Sequence, residues 1–232
     1  MGDSSRFVAH ALIKQLIESK VLTFGEFTLK SGRASPYFMN FGKVSSGMAF
    51  SNLGGFYASR MSQVLGSGEF GVLFGPAYKG IPLAFVTAAR FAENGLDVGV
   101  AYNRKEAKDH GEGGSVVGAD LAGQHVVILD DVITAGTALG EADAIIRAAG
   151  GIPVAAFVAF DRMEKGGGSD KSAVQEAKEK YGFPVYSIAN LDDLLAYLAG
   201  LTEGEAIGLS LDPAEIAKAI GNYRSLYGAD YS

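Results

Sequence analysis

The stretch Val126-Val127-Ile128-Leu129-Asp130-Asp131-Val132-Ile133-Thr134-Ala135-Gly136-Thr137-Ala138 decides how the rest of the chain is read. Four apolar residues predict a buried strand, and two adjacent carboxylates stand at its carboxyl end. A Thr/Gly-rich turn follows, then the helix-compatible run Leu139 to Ala149. In an open α/β sheet the carboxyl ends of the strands are where ligands bind. The turn can aim several backbone N–H groups at one anion, and the amino end of the next helix adds favourable potential. Paired aspartates beside it suit hydroxyl groups or a metal ion. Together these features describe a pocket for a sugar phosphate. Two adjacent acids alone would read as a solvated surface turn, but the whole thirteen-residue string is not a chance pattern. No G-x-x-x-x-G-K-[ST] loop is present.

Composition narrows the class. The 232 residues suffice for one sizeable α/β domain, and 48% hydrophobic with 20% charged residues is a globular balance. With no cysteine there is neither disulfide nor thiolate chemistry, which fits a reducing cytosol and a cytoplasmic location. No apolar run approaches a membrane span, and the opening residues do not read as a secretory signal. A formal charge of -6 argues against general nucleic-acid binding. Anionic ligands must then be met by local cationic clusters.

Strands and helices alternate along the chain. Phe7, Val8, Leu12, Ile13, Leu16 and Ile17 make an amphipathic first helix. Phe24 to Phe41 is extended and turn-rich. Ala49 to Leu65 reads as a helix, weakened by Gly54-Gly55. Strands are expected at Phe70–Phe74, Val98–Tyr102, around Val126, at Ile152–Phe160 and at Val185–Ile188. Helices are expected at Ile81–Glu93, Leu139–Ala149, Ala173–Tyr181 and Leu191–Leu198. Asp212-Pro213-Ala214-Glu215 is an N-cap with Pro at the first helical position, so a last helix starts there. Asn103 to Ser115 has no apolar period and reads as a mobile loop. The pattern implies a mostly parallel open sheet flanked by helices.

The Asp130 run resembles the phosphoribosyl pyrophosphate (PRPP) motif of type I phosphoribosyltransferases. Two further stretches resemble orotate phosphoribosyltransferases in particular. Arg104-Lys105-Glu106-Ala107-Lys108-Asp109-His110-Gly111-Glu112-Gly113 carries three cations and one histidine within seven residues, directly after a strand. Alone it would be a solvated charged loop. By resemblance it is the catalytic loop that closes over the pyrophosphate, where movable cations neutralise a leaving group and exclude water. Lys30-Ser31-Gly32-Arg33-Ala34-Ser35-Pro36-Tyr37-Phe38-Met39-Asn40 would alone be a turn and an aromatic strand. It is similar to the K-S-G-x-x-S-P-x-F-x-N stretch of an amino-terminal hood that covers the base. Many family members have two phenylalanines where Phe38 and Met39 stand.

The resemblance spans roughly Phe7 to Ala199. It implies the type I phosphoribosyltransferase fold as a single domain over 1–232, with hood elements mainly within 1–69 and the core mainly 70–200. It implies transfer of the phosphoribosyl group from PRPP to orotate, with Mg²⁺ bound mainly through PRPP rather than by a dedicated protein site. The residues implied to be catalytic are Lys105, Lys108, His110, Asp130 and Asp131. PRPP would be held by Tyr78, Lys79, Arg104, Lys105, Lys108, His110, Asp130, Asp131 and the run Val132, Ile133, Thr134, Ala135, Gly136, Thr137 and Ala138. Lys30, Phe38, Met39, Thr134 and Arg162 would form the orotate side. A planar guanidinium at Arg162 can grip a carboxylate with two charge-assisted hydrogen bonds. A homodimer with shared active sites follows from the same resemblance, and nucleic acid and membrane are not expected as partners. Two other readings stand beside it: a phosphoribosyltransferase for another base, and a non-catalytic PRPP-binding regulator. Beyond Gly200 the expectation is packing or an interface only.

Overall fold

The structure is a computed structural model that describes residues 3–29, 31–105, 115–133, 136–166, 170–201 and 212–231. Helix α1 (Asp3–Glu18) leads into a hairpin of β1 (Leu22–Thr28) and β2 (Ala34–Met39), and α2 (Gly47–Val64) follows. The chain then alternates: β3 (Val72–Gly75), α3 (Gly80–Glu93), β4 (Gly99–Asn103), β5 (Val116–Gly118), β6 (His125–Val132), α4 (Thr137–Ala148), β7 (Ile152–Asp161), α5 (Ala173–Tyr181), β8 (Val185–Asn190), α6 (Leu191–Ala199) and α7 (Pro213–Tyr227). The expected helices and long strands are present. Asp212 caps α7 as its sequence predicts, its carboxylate accepting from the amides of Ala214 and Glu215. β5 was not foreseen; it extends the sheet beyond the charged loop.

Among the described residues the main sheet has six strands in the order β5-β4-β3-β6-β7-β8. All neighbours run parallel except β4 and β5, which are antiparallel. Alternation along β6 explains why the sheet is covered on both sides. Val127 and Leu129 join the core built with α1, α2, α3, α6 and α7, while Val126 and Ile128 join the one built with α4 and α5. All four are at most 1% exposed.

Order in the sheet reverses between β3 and β6. From β3 the chain moves outward through α3 to β4; from β6 it moves the other way through α4 to β7 and β8. The connections leaving these two adjacent strands diverge, and a crevice opens at their carboxyl ends. The β1–β2 hairpin forms a separate two-stranded sheet, and α7 packs against both β2 and α6.

Candidate active site

Each side of the crevice is built by a tight backbone exit. At the end of β3, glycines are required at both ends of the turn. A Cβ on Gly75 would lie 2.3 Å from the Gly80 carbonyl oxygen, and one on Gly80 would lie 2.5 Å from that of Leu129 in β6. The turn is thereby pressed onto β6. The Ala77 amide donates to Asn103 Oδ1 at 2.8 Å, tying the turn to β4 as well. Tyr78 is left 68% exposed, and Lys79 Nζ reaches Asp131 Oδ2 at 2.7 Å.

At the end of β6, Tyr57 of α2 is fully buried and donates its hydroxyl to the Asp130 carbonyl at 2.7 Å, fixing the strand end from below. The Asp131 amide donates to Asp130 Oδ1 at 2.9 Å. Asp131 is buried and Asp130 half-buried. Burial, and secondly the charge of Asp131, push the Asp130 carboxyl up to about 7; the Asp131 amide and Lys79 oppose the rise. A mostly apolar cavity of about 190 Å³, lined by residues including Phe41, Val44, Phe50 and Leu83, lies against Lys79 and Asp131. Such walls strengthen a charge pair at their edge.

The turn after β6 resumes at Gly136, whose φ of 69° is left-handed and favours glycine. It leads directly into α4, which has no side-chain cap and no acid in its first turn. The helix therefore offers uncapped amides to an anion with no competing carboxylate. Thr137 and Ala138 are exposed there. Val132 and Ile133 are half-buried and pack against opposite cores.

The charged loop is closed at its neck, where the Arg104 amide donates to the Ser115 carbonyl at 2.9 Å and continues the β4–β5 ladder. Lys105 Nζ stands 5.0 Å from the centre of the Tyr78 ring. Lys30, Lys108, His110, Thr134 and Ala135 lie outside the described residues.

The proposed acceptor side is on the neighbouring strand. Val132 pairs with Phe160, so Arg162 emerges from β7 next to the exit of β6. Its guanidinium lies 4.3 Å from the centre of the buried Tyr37 ring. Nε donates to Glu164 Oε1 at 2.7 Å and Nη2 to Ser35 Oγ at 3.2 Å. Glu164 also pairs with Arg33 at 3.7 Å and accepts from the Tyr37 hydroxyl at 3.4 Å. The arginine's ion-pair partner is thus Glu164, not the preceding Asp161. Phe38 is 40% exposed on the hairpin and stacks on Phe27 at 5.6 Å, whereas Met39 turns toward the core.

Described members of all three constellations thus meet at one edge of the sheet. Sequence reasoning missed Tyr57, Asn103, Ser35, Tyr37 and Glu164. For Ser35 and Tyr37 a signal existed, since alternation along β2 places them opposite Phe38.

The phosphoribosyl transferase domain family matches residues 46–186. The orotate phosphoribosyltransferase of Cupriavidus necator is 50% identical over 228 residues, covering 95% of each chain. That of Ralstonia pickettii is 55% identical over 193 residues, covering 81% of this chain and 84% of its own. The crystal structure of the Francisella tularensis orotate phosphoribosyltransferase superposes with a TM-score of 0.79 at 33% identity, covering 94% of this chain and all of that one. With a paired-aspartate crevice at the sheet's switch point and half its residues shared over nearly the full length, this chain belongs to the orotate phosphoribosyltransferase family.

Proposed function

We propose that this chain transfers the 5-phosphoribosyl group of PRPP to orotate, yielding orotidine 5'-monophosphate and pyrophosphate, a step of pyrimidine nucleotide synthesis. A ring nitrogen of orotate attacks the anomeric carbon of the ribose as the bond to pyrophosphate breaks. The acceptor supplies the electron pair, so no protein nucleophile is needed. The observation that carries this reading is the joint placement of Lys79, Asp131 and Arg162 on the ends of three adjacent strands.

The residues divide the work by charge. Asp130 and Asp131 hold the ribose hydroxyls and favour positive charge growing on the ribose. Gly136, Thr137 and Ala138, with the backbone of Val132 to Ala135, cradle the 5'-phosphate. Tyr78, Lys79, Arg104, Lys105, Lys108 and His110 receive the pyrophosphate, which competes with Asp131 for Lys79. Arg162 takes the orotate carboxylate, and Lys30, Phe38, Met39 and Thr134 complete the base pocket. Among the described residues no cluster of three or more metal-ligating side chains occurs. Two hard carboxylate oxygens beside a polyphosphate fit Mg²⁺ held chiefly by substrate oxygens. Such an ion would neutralise charge on the pyrophosphate. The same reading takes the protein as a cytoplasmic homodimer whose loop cations serve the partner's site. No helix among the described residues is long and apolar enough to cross a membrane.

Incubation with PRPP, Mg²⁺ and either orotate or purine bases, with pyrophosphate measured, tests the assignment. Release with orotate alone is expected. Release with purines but not orotate would reassign the acceptor, and no release with any base would favour a regulator.

A further inference from the structure

The turn that aims Arg162 is held from the far end of the chain. Asp161 closes β7, and the residue after Arg162 is Met163, whose φ of 53° is unusual for a residue with a side chain. Such a conformation persists only where its surroundings over-determine it. Here the surroundings are the C-terminal segment. The Ala229 amide donates to the Met163 carbonyl at 2.8 Å, and the Lys165 amide donates to the Tyr227 carbonyl at 2.8 Å. Tyr231 donates its hydroxyl to Asp161 Oδ2 at 2.6 Å, while Asp161 Oδ1 accepts the Met163 amide at 2.8 Å. Both neighbours of Arg162 are therefore gripped by the same five-residue stretch.

The segment is itself anchored. One phenolic proton cannot serve two acceptors, and an ionised Asp161 only accepts, so the contact between Tyr231 and Ser172 is a hydrogen bond given by the serine. Ser172 is fully buried and caps α5, and Gln175 of that cap donates to the Asp230 carbonyl at 2.9 Å. Burial and the Asp161 carboxylate raise the Tyr231 hydroxyl's pKa, so it stays a donor at neutral pH. Meanwhile Ser35, Tyr37 and Glu164 hold the guanidinium from the other side. The backbone of Arg162 is set by the tail and its side chain by the hood.

We infer that the segment Tyr227–Tyr231 is a strap that sets the direction of Arg162, and that Tyr231 is a positioning residue for the acceptor's carboxylate. This rests on the reading of Arg162 as the residue that takes that carboxylate. The strap's hydrogen bonds to Asp161, Met163, Lys165 and the α5 cap all lie beside Arg162, so its effect is expected on the acceptor side.

Tyr231→Phe removes one oxygen from a side chain that is 42% exposed, and Ala229→Pro removes the amide that holds Met163. Each is expected to raise the orotate KM about five- to tenfold, with the PRPP KM and the melting temperature little changed. In an Arg162→Ala background, Tyr231→Phe is expected to add nothing further. Arg162→Ala without effect on orotate KM would remove the underlying reading. A large Arg162→Ala effect beside unchanged orotate KM in both strap variants would overturn the strap alone. So would equal losses toward PRPP and orotate, or a Tyr231→Phe effect that persists without Arg162, because either marks a merely structural role.

Discussion

Lys79 and Asp131 join the ends of two adjacent parallel strands from which the chain departs in opposite directions, with Nζ 2.7 Å from Oδ2. The partners differ in freedom: the lysine side chain is 54% exposed and the aspartate side chain 8%. The carboxylate is fixed and the cation can leave. Burial, and secondly the charge of Asp131, raise the neighbouring Asp130 carboxyl to about 7, and Lys79 opposes the rise only in part. On the function proposed above, PRPP, with its own anions and ribose hydroxyls, would resolve this contest for charge.

The pair should show in the pH profile of kcat/KM for PRPP. Ionised aspartates are needed to favour a cationic ribose, so activity should fall on the acid side of about pH 7. The acid limb is then set by the raised Asp130 carboxyl. Lys79→Met removes the opposing cation and should move that limb to higher pH. PRPP's own ionisation is common to both proteins, so their difference isolates the pair. Superimposable limbs would refute the coupling.

Stability should move the other way with pH. The Asp130 carboxyl is raised to about 7 in the fold, against about 3.9 in an unfolded chain. Between those values the folded state binds the extra proton, so the group's contribution falls as pH rises from about 4 to 7 and stays low above that. Asp130→Asn escapes this loss. It should melt higher than the parent by a few degrees at pH 8, and the gap should shrink toward pH 4 while activity is lost at every pH. Calorimetry at the two extremes checks the sign; a gap independent of pH would refute it.

What could be read in advance followed from local patterns. The buried strand ending at Asp130, the Asp212 cap and the helices rested on runs of neighbouring residues, where period and capping chemistry act. Arg162 and the hood needed the resemblance: alone, the hood reads as a turn and an aromatic strand, and one arginine after a strand points to no ligand. Tyr57, Tyr231 and the contact of Tyr37 with Glu164 were illegible because the partners are distant: 73 residues separate Tyr57 from Asp130, 70 separate Tyr231 from Asp161, and 127 separate Tyr37 from Glu164. β5 has only three residues and is a strand because β4 lies beside it. Gly54 misled in an instructive way. It weakens α2 locally, yet a Cβ there would lie 2.4 Å from the Val86 carbonyl oxygen, so glycine is what lets α2 close on α3. The C-terminal residues, expected to serve packing or an interface, pack against the turn that carries Arg162.

Gly80→Ala should injure the donor side. Its Cβ would meet the Leu129 carbonyl oxygen at 2.5 Å and Pro76 Cδ at 2.6 Å, neither able to yield without moving β6 or the turn. The expected cost is about 1–3 kcal/mol of stability. PRPP affinity should drop with it, because Lys79 is carried away from Asp131. At Gly136→Ala nothing crowds the added atom, and only the left-handed φ of 69° is strained, about 1–2 kcal/mol. Denaturant melts and PRPP titration separate the two, and an unaffected Gly80→Ala would refute the close approach.

Arg162→Lys keeps the charge and loses the planar fork. Orotate KM should rise about tenfold or more, with the PRPP KM nearly constant, as expected for a lost charged hydrogen bond. Glu164 retains Arg33 as a partner at 3.7 Å, so the hood should stay seated. Unchanged orotate kinetics would exclude Arg162 from the acceptor pocket.

Shared sites can be tested by complementation. Lys108→Ala alone should lower kcat far more than orotate affinity, because its charge is wanted most as pyrophosphate leaves. Asp131→Asn alone should fail through the ribose. If the loop of each subunit serves the other's crevice, a heterodimer of the two variants places an intact Lys108 over an intact Asp131 in one of its two sites. Random exchange makes half the dimers heterodimers, so about a quarter of the parent activity should return. If each loop serves its own crevice, every site keeps one defect and nothing returns. Differently tagged subunits, purified as confirmed heterodimers, distinguish the outcomes, and silence there would place the loop cations over their own subunit's site, where Lys105 already stands by Tyr78.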